Sequence, residues 1–339
     1  MNISIFFFSF FVQFLLKSNE KFYLTLILYI KSYNLRVIMM IWVTGDVDGK
    51  LYKEPFSKGI MSRSLNVADI GIERAHDIAS DIEAFLIKND ISEISSADLA
   101  DVVLNHLEKI DPKIAIRYKH WRSLRTSKKP LIILIGGASG VGTSSMAFEL
   151  ANRLRLKNLI STDMIREVMR KIVSKELSPV IHKSSFDAYE AIRTPSIRID
   201  SVIEGFVSHV DVVNVGIEAI IERSVKEGIS TIIEGVHVVP GFIRKDLLEN
   251  NNIIIFTLIV GDEEAHKQRF YSRCRQPWVK RSLERYMDNF ETIRKTQNFL
   301  VQQAKIHDTH IIDNVDINET IDTMVGDILE KFGVDDDVE

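Results

Sequence analysis

Short apolar runs alternate with amphipathic stretches from residue 131 to the end of the chain. The run LIILI at 131–135 has no polar alternation, which is typical of a parallel strand covered on both faces. Further strand-like runs are NLIS, STIIEG, IIIFTLIV and THIID, and helical patterns separate them. This alternation predicts an α/β fold, with a doubly wound, about five-stranded parallel sheet over residues 130–333.

Residues 41–127 have a different pattern, which predicts a small, mostly helical domain. The stretch IWVTGDVDGKLYKEPF predicts two short strands joined by a Gly/Asp turn. Three helical patterns follow, and in the second of them apolar residues recur at helical spacing between Ala75 and Phe85. Ser96 is the predicted cap of the third helix. We interpret DPKIAIRYKHWRSLRTSKKP as a basic, polar linker between the two domains.

The first 38 residues form a separate, mostly apolar segment. Its two apolar runs, ISIFFFSFFVQFLL and FYLTLILYI, are interrupted by KSNEK, and neither reaches the roughly 20 residues of a membrane span. The segment also lacks the pattern of a signal peptide. A weak membrane anchor stays open as an alternative. Because Met39 and Met40 precede ordinary domain composition, we expect translation to begin there, with leader 1–38 outside the functional protein and no membrane partner.

Composition and charge narrow the classes of function. With 45% hydrophobic and 27% charged residues in 339 positions, the chain matches a globular protein of two domains. A net charge of -4 gives no reason to expect a nucleic-acid partner. The single cysteine, Cys274, fits a reducing compartment, so a cytoplasmic location is expected. Residues 334–339 form an acidic tail, and the sequence leaves a homo-oligomer open.

A glycine-rich stretch, GGASGVGTSS, directly follows the first strand of the α/β region and opens a helix. This context is the one in which a phosphate-binding loop occurs, since backbone N–H groups and the helix N-terminus can bind phosphate oxygens. Ser144 stands where a hydroxyl would bind Mg²⁺. The predicted nucleotide-binding residues are Gly137, Ala138, Ser139, Gly140, Val141, Gly142, Thr143 and Ser144.

Thr143 occupies the position of the lysine that normally neutralises the β- and γ-phosphates. Another cation must therefore supply that charge. Arg269, Arg273 and Arg275 lie close together after the fourth strand, where kinases of this architecture have a mobile lid. Arginine suits the transferring phosphoryl group because of its fixed fork of donors. A solvated basic helix is the alternative interpretation.

Two acidic residues are expected at the carboxyl ends of strands, where open parallel sheets bind ligands. Asp163 follows the second strand, and either caps the next helix or orients and deprotonates an acceptor hydroxyl. Glu234 ends the third strand, so it lies beside the glycine loop if that strand neighbours the first. There it would hold the metal through water or polarise the acceptor.

Basic side chains on the acceptor side suggest an anionic substrate. Arg166 and Arg170 lie four residues apart, so they share a helix face that could bind a phosphate ester or a carboxylate. His237 is a further candidate for substrate contact, or a loop histidine with a local hydrogen bond. Position alone favours a set of weaker candidates that includes a further substrate-binding arginine: His182, Ser184, Tyr189 and Arg193.

Taken together, these segments resemble archaeal 2-phosphoglycerate kinases. The resemblance spans residues 40–332 and is most specific in GGASGVGTSS, STDMIREVMRK, SSFDAYEAIR and IIEGVHVVPG. It implies a P-loop kinase with threonine at the lysine position, joined to an N-terminal ATP-cone. VTGDVDGKLYKEPFSKGIMSRSL, which includes Lys58, is similar to the start of that module. Nucleotide binding and a purely structural role both stay open for residues 43–127.

The resemblance implies a reaction that the residues alone do not specify. It implies transfer of the ATP γ-phosphoryl group to the 3-hydroxyl of 2-phosphoglycerate, the first step toward cyclic 2,3-diphosphoglycerate in methanogens. The residues by themselves support only a kinase of a small anionic acceptor, with ATP and Mg²⁺ as cofactors. A kinase of another anionic metabolite and a nucleotide-sensing protein without transfer activity remain the alternatives.

Overall fold

The computed structural model describes residues 40–47, 50–68, 70–127, 129–249, 252–275 and 282–332. The predicted leader at 1–38 and acidic tail at 334–339 lie outside these residues. The chain divides into two compact units. The smaller unit comprises the described residues up to Met61 together with His76–Val103, and the larger comprises Ser62–Ala75 and the described residues from Leu104 onward.

The smaller unit contains the strand pair that the sequence predicts. β1 (Trp42–Val47) pairs antiparallel with β2 (Lys50–Pro55). A third strand, β3 (Glu93–Ser95), pairs parallel with β1, and its three residues are too few to give a sequence signal. The helices that belong wholly or partly to this unit are α1 Lys58–Asn66, α2 Ile72–Lys88 and α3 Ser96–Ile110.

The predicted second helix is present as α2, and its buried face continues from Ile82 to Leu86, whereas Phe85 is 48% exposed. The prediction of Ser96 as the cap of α3 is wrong. The cap of α3 is Ser95, whose hydroxyl accepts a hydrogen bond from the Asp98 amide at 3.0 Å, whereas Ser96 is already the first helical residue.

The predicted linker is also wrong, since most of it is a helix. α4 (Pro112–Thr126) begins at a proline that needs no amide partner, and the carboxylate of Asp111 caps it by accepting from the Lys113 amide at 2.9 Å. Its Trp121 and Leu124 are buried in the core of the larger unit. Sparse apolar residues among many basic ones conceal the amphipathic face that makes this segment helical.

The larger unit is built on a five-stranded parallel sheet in the order β5-β6-β4-β7-β8, which confirms the predicted fold class. Leu131–Gly137, the first strand of this unit, is central in the sheet, so both its faces are covered and all its residues are buried. Its neighbour β6 brings Glu234 opposite Ile135. The strands are β4 Leu131–Gly137, β5 Asn158–Ser161, β6 Thr231–Glu234, β7 Asn252–Ile259 and β8 His310–Asp313.

Helices cover both faces of this sheet. Ile133 and Ile135 point into one apolar cluster and Ile132 and Leu134 into another, as the two-residue period of a strand requires. Besides its parts of α1, α2 and α3, this unit contains α4, α5 Thr143–Leu154, α6 Thr162–Ile172, α7 Ser201–Glu227, α8 Lys245–Glu249, α9 Glu263–Cys274, α10 Leu283–Asp288, α11 Phe290–Ile306 and α12 Ile317–Phe332. Two 3-10 turns lie at Val180–His182 and Ala188–Ala191.

Residues of the predicted N-terminal domain, 62–75 and 104–127, thus form one compact unit with the α/β region. The domain boundary between residues 127 and 130 stays a prediction. Within the described ranges, no helix is both long and apolar enough to cross a bilayer.

Candidate active site

The glycine loop joins the central strand β4 to helix α5 at the carboxyl edge of the sheet. Gly140 and Gly142 have φ angles of 90° and 96°, a region that side chains other than glycine rarely adopt. A Cβ at Gly140 would also lie 2.5 Å from the Phe270 ring of α9. The loop therefore needs glycine at Gly140 both for its conformation and for the close approach of α9.

Thr143, at the lysine position, is the first residue of α5 and makes a specific contact. Its hydroxyl donates a hydrogen bond to Glu234 Oε2 at 2.8 Å. Glu234 is only 4% exposed, so this bond compensates part of the loss of water around a buried carboxylate. A neutral hydroxyl here orients the acid at the end of β6, where a lysine would instead form an ion pair with it.

The underside of the loop is held by two side chains that bind the same carbonyl. Arg269 Nη1 donates to Val141 O at 2.7 Å, and Asn314 Nδ2 donates to it at 2.8 Å. Arg269 also donates to the Asn314 carbonyl. Burial lowers the pKa of Arg269 from its usual value, although an arginine remains charged. Arg269 thus contacts the loop itself.

His266 stabilises the loop from the same helix, α9. Its Nε2 lies 2.8 Å from Ser139 O, and its ring stacks on Phe270 with centroids 5.4 Å apart. The carbonyl of Ser139 can only accept, so Nε2 carries the proton. Burial lowers the pKa of His266, which keeps this ring neutral.

Arg273 lies one helical turn beyond Arg269 and lines the cleft above the loop. Its guanidinium stands 5.9 Å from the centroid of the Tyr286 ring, and its side chain is exposed. Arg275 follows the end of α9 and lines a separate hollow with Tyr271 and Leu283. Of the three predicted lid arginines, therefore, Arg269 and Arg273 lie at the cleft that contains the loop.

Asp163 and Arg166 face the loop from α6. Ser161 caps this helix by accepting from the Asp163 amide at 3.3 Å, so the interpretation of Asp163 as the cap is wrong. Asp163 lies instead in the first turn, with its carboxylate 3.8 Å from Arg166 Nη1. Arg166 is 7% exposed, and its buried Nε has no hydrogen-bond partner among the described residues.

Glu167 holds the two arginines of this helix together. It lies 3.0 Å from Arg166 Nη2 and 2.8 Å from Arg170 Nη1. Burial raises the pKa of Glu167, but the hydrogen bonds from Arg170 and Arg166 outweigh it and hold the pKa below its usual value. The pairing predicted from the spacing of Arg166 and Arg170 thus exists through Glu167, but Arg170 does not line the cleft.

Two other predicted substrate residues lie away from the cleft. His237 is fully buried between Thr162 and His209. Arg193 is exposed and donates to the carbonyl of Glu176. Their assignment as substrate contacts stays a prediction.

A polar cluster that sequence reasoning missed lies on the acceptor side. Arg285 of α10 donates to Asp187 Oδ2 at 2.6 Å and to Ser184 Oγ at 2.9 Å. Its guanidinium also lies 5.5 Å from the Phe186 ring. The segment SSFDAYEAIR carried the signal for Ser184 and Asp187, but nothing in the sequence pairs them with a residue about a hundred positions away.

These elements enclose a cleft of about 620 Å³. It brings together the glycine loop, Glu234 at the end of β6 and Asp163 in the first turn of α6. Arginines of α6 and α9 also line it. Predicted residues that line it are Gly137, Ala138, Ser139, Gly140, Gly142, Thr143, Ser144, Asp163, Arg166, Glu234, Arg269 and Arg273. Lining residues that were not predicted as site residues are Ser145, Ser161, Ser185, Phe186, Gly235, Val236, Ser272, Asn314, Val315 and Ile317, and Ser184 was a weaker candidate.

The cleft contains donors suited to a hard cation. Within the described ranges, no group of three or more His, Cys, Asp or Glu side chains is placed to bind a metal ion. Mg²⁺ at nucleotide sites needs only one or two protein ligands, because phosphate oxygens and water complete its shell. The Ser144 hydroxyl and the Glu234 carboxylate, both lining the cleft, fit that requirement.

A parallel sheet in this order, with a glycine loop between its central strand and the following helix, defines a P-loop phosphotransferase fold. Residues 49–127 match the family model of the ATP cone domain. Among solved structures, shikimate kinase from Acinetobacter baumannii in complex with shikimate is similar at 15% identity, with a TM-score of 0.38 over 62% of this chain and 98% of that one.

Curated relatives are more similar. The 2-phosphoglycerate kinase of Methanothermobacter thermautotrophicus is 54% identical, covering 84% of this chain and 94% of that protein. Those of Methanopyrus kandleri and Methanocaldococcus jannaschii are 45% and 41% identical, over 84% of this chain and 87% and 91% of theirs. The chain belongs to the 2-phosphoglycerate kinase family.

Proposed function

We propose that this protein transfers the γ-phosphoryl group of ATP to the 3-hydroxyl of 2-phosphoglycerate, giving 2,3-bisphosphoglycerate and ADP. Family membership at 54% identity with a 2-phosphoglycerate kinase is the observation that supports it most strongly. The cleft is compatible with the reaction because it places a phosphate-binding loop opposite Asp163 and Arg166.

The donor half of the site would act by backbone and side-chain charge. The N–H groups of the loop and the N-terminus of α5 bind the β- and γ-phosphates. Arg273 supplies the charge that a loop lysine would otherwise provide, since its exposed side chain lines the cleft. Arg269 keeps the loop in shape through Val141 O. Arg275 is a weaker candidate for the phosphoryl clamp because it lines another hollow.

The acceptor half would bind an anion and orient a hydroxyl. Arg166 binds the phosphate or carboxylate of the acceptor, because this arginine lines the cleft. Arg170 would support Arg166 through Glu167. Substrate contacts by Arg193 and His237 stay predictions. Asp163 accepts the proton of the attacking hydroxyl as the new P–O bond forms and the bond to the β-phosphate oxygen breaks.

Magnesium would be held by Ser144 and Glu234 with the phosphates of the substrate. When bound, the ion supplies positive charge next to the transferring group. Thr143 orients Glu234 for this role through the 2.8 Å hydrogen bond. We further infer a cytoplasmic location, in line with the single cysteine, and that the product is the precursor of cyclic 2,3-diphosphoglycerate.

The test is an assay of the full chain with labelled ATP, Mg²⁺ and a panel of hydroxy-acid phosphates. Labelled 2,3-bisphosphoglycerate is expected when 2-phosphoglycerate is the acceptor, and no transfer of label is expected to 3-phosphoglycerate or glycerate. Transfer to another member of the panel would favour a kinase of a different anionic metabolite. Tight ATP binding without transfer to any acceptor would favour a nucleotide sensor and refute the proposal.

A further inference from the structure

Three segments line the acceptor side of the cleft, and each continues into the protein behind it. The first is the start of α6 with Asp163 and Arg166, the second is the Gly235–Val236 turn after β6, and the third is the 184–186 segment. The sheet fixes where the first two segments begin, because Ser161 of β5 pairs with Glu234 of β6. Both segments leave the sheet at that point, so the contact between them beyond the sheet depends on side chains behind the cleft wall.

A buried chain of polar groups lies behind them. His237 Nδ1 is 2.8 Å from the hydroxyl of Thr162, and His237 Nε2 is 3.0 Å from Nδ1 of His209 on α7. Thr162, His209 and His237 are each fully buried, and the two rings stack with centroids 4.9 Å apart. His209 Nε2 is buried and has no hydrogen-bond partner among the described residues, and the backbone of Lys183 raises the pKa of His209.

Two of the three residues in this chain are next to residues that line the cleft. Thr162 immediately precedes Asp163, and His237 follows Val236. Gly235 has a φ of 135°, and a Cβ there would collide with the Thr162 hydroxyl. The absence of a side chain at Gly235 thus permits the contact between the β6 turn and α6.

The electrostatics favour two neutral rings. Burial lowers the pKa of His209 to about 4, with Arg166 acting in the same direction. Burial and the neighbouring His209 lower the pKa of His237 well below its usual value. A neutral imidazole has one donor and one acceptor nitrogen. His237 can therefore accept one hydrogen bond and donate the other within the Thr162–His237–His209 chain.

We propose that His209 and His237 are positioning residues for the acceptor: through Thr162 they hold the first turn of α6, and with it Asp163 and Arg166, against the turn after β6. This inference rests on the proposed function and assigns His237 a role behind the cleft instead of a direct substrate contact. In the chain, the Thr162 hydroxyl donates to His237 Nδ1, and His237 Nε2–H donates to His209 Nδ1.

The proposal predicts an effect on the acceptor and not on ATP. Thr162→Val removes the hydroxyl at nearly constant volume, and His237→Phe keeps a ring without its nitrogens. Each is expected to raise the KM for 2-phosphoglycerate about tenfold while the KM for ATP stays within twofold. Thr162→Ser, which keeps the hydroxyl, should restore the acceptor KM to within about threefold of the original value.

Two further measurements separate positioning from general stabilisation. The double variant Thr162→Val with His237→Phe should raise the acceptor KM no more than either single variant, because both break one chain. In ¹⁵N spectra of the full chain, both histidines should be neutral at pH 7 with a proton on Nε2. His310→Gln is the matched control, since that ring pairs with Asp327 at the other end of the sheet.

Several outcomes would overturn the proposal. These are an unchanged acceptor KM in the folded Thr162→Val variant, equal increases in both KM values, additive effects in the double variant, or a charged histidine at pH 7. The proposed function is judged separately, by the unmodified protein. If that protein phosphorylates another acceptor instead, the variants are compared by their KM for that acceptor and their KM for ATP. A selective increase in the acceptor KM would still show that the histidines position the acceptor.

Discussion

At the scale of single residues, the site depends on how a few polar side chains satisfy one another. Thr143 shows this most directly, because it is both the residue that replaces lysine and the partner of the buried Glu234. The sequence identified both residues, but the hydrogen bond between them follows only from the pairing of β6 with β4.

Thr143→Val tests that bond. The change leaves a buried carboxylate without its donor, which should lower the free energy of unfolding by about 1–3 kcal/mol. We expect kcat/KM to fall at least tenfold as well, because Glu234 is no longer oriented. Thr143→Ser keeps the hydroxyl and should stay within about threefold. Urea unfolding and initial rates measure the two effects, and equal activity of the Val and Ser variants would contradict the role of the hydroxyl.

Arg273→Ala tests the source of the missing positive charge. Loss of a phosphoryl-clamping arginine lowers kcat by roughly 10³-fold in comparable enzymes, and we expect a loss of that order here. The matched control is Arg223→Ala, an exposed arginine on α7 that pairs with Glu227. Single-turnover transfer rates with saturating substrates provide the comparison. If the transfer rate of Arg273→Ala falls less than tenfold, another cation must neutralise the phosphoryl charge.

At the scale of elements, the site is the meeting of α5, α6 and α9 at the carboxyl edge of one sheet. The glycine loop permits α9 to approach because Gly140 has no side chain to strike Phe270. The histidine chain likewise connects α7 and α6 to the turn after β6.

Gly140→Ala should separate the loop from α9. A methyl group at a φ of 90° and 2.5 Å from the Phe270 ring forces one of the two to move. We expect the Kd for ATP to rise at least tenfold, with the sheet intact by circular dichroism. Calorimetric titration with ATP and Mg²⁺ measures this. The control is Gly228→Ala, a glycine of positive φ at the C-terminal end of α7 where an added Cβ would meet no atom within 4 Å. Unchanged ATP affinity would show that this contact does not shape the loop.

The buried histidines predict how stability depends on pH. His209 has a pKa of about 4 in the folded protein against 6.5 when unfolded, so between these values the unfolded chain binds more protons. The free energy of unfolding should therefore decrease as the pH falls from 6.5 toward 4. A difference of about 2.5 units corresponds to roughly 3 kcal/mol.

Urea unfolding at several pH values, for the original protein and His209→Gln, isolates this contribution. Arg166 and Arg170 lower the pKa of His209, and Asp187 raises it, so these charges must stay unchanged. The variant should lose less stability than the original protein on acidification. Parallel pH curves for the two proteins would contradict a neutral His209.

At the scale of the whole molecule, ligand binding should stabilise the fold. The loop, α6 and α9 all contribute to one cleft, so we expect ATP with Mg²⁺ to bind the folded chain and not the unfolded one. At a ligand concentration of 100 times Kd, the free energy of unfolding should increase by about 2.7 kcal/mol. Thermal unfolding with and without ATP measures the shift, and Gly140→Ala should abolish most of it. No shift in the original protein would refute nucleotide binding.

The sequence by itself determined the elements and much of the chemistry. The buried run LIILI, the glycines after it and the alternation of strands and helices were sufficient for a five-stranded α/β fold with a phosphate loop, because each signal is local. Three local features were not predicted. β3 has only three residues, the apolar face of α4 is interrupted by many basic residues, and the cap of α3 required a choice between the adjacent serines Ser95 and Ser96.

Only the tertiary structure decided which of these residues meet. It placed Arg269 beneath the loop, Arg275 at another hollow and His237 in a buried chain with His209, although all three carry side chains that could bind a phosphate. It also joined Arg285 to Asp187 across about a hundred positions. Side-chain chemistry is written in the sequence, but distances between remote side chains arise from strand order and helix packing, which no local pattern contains.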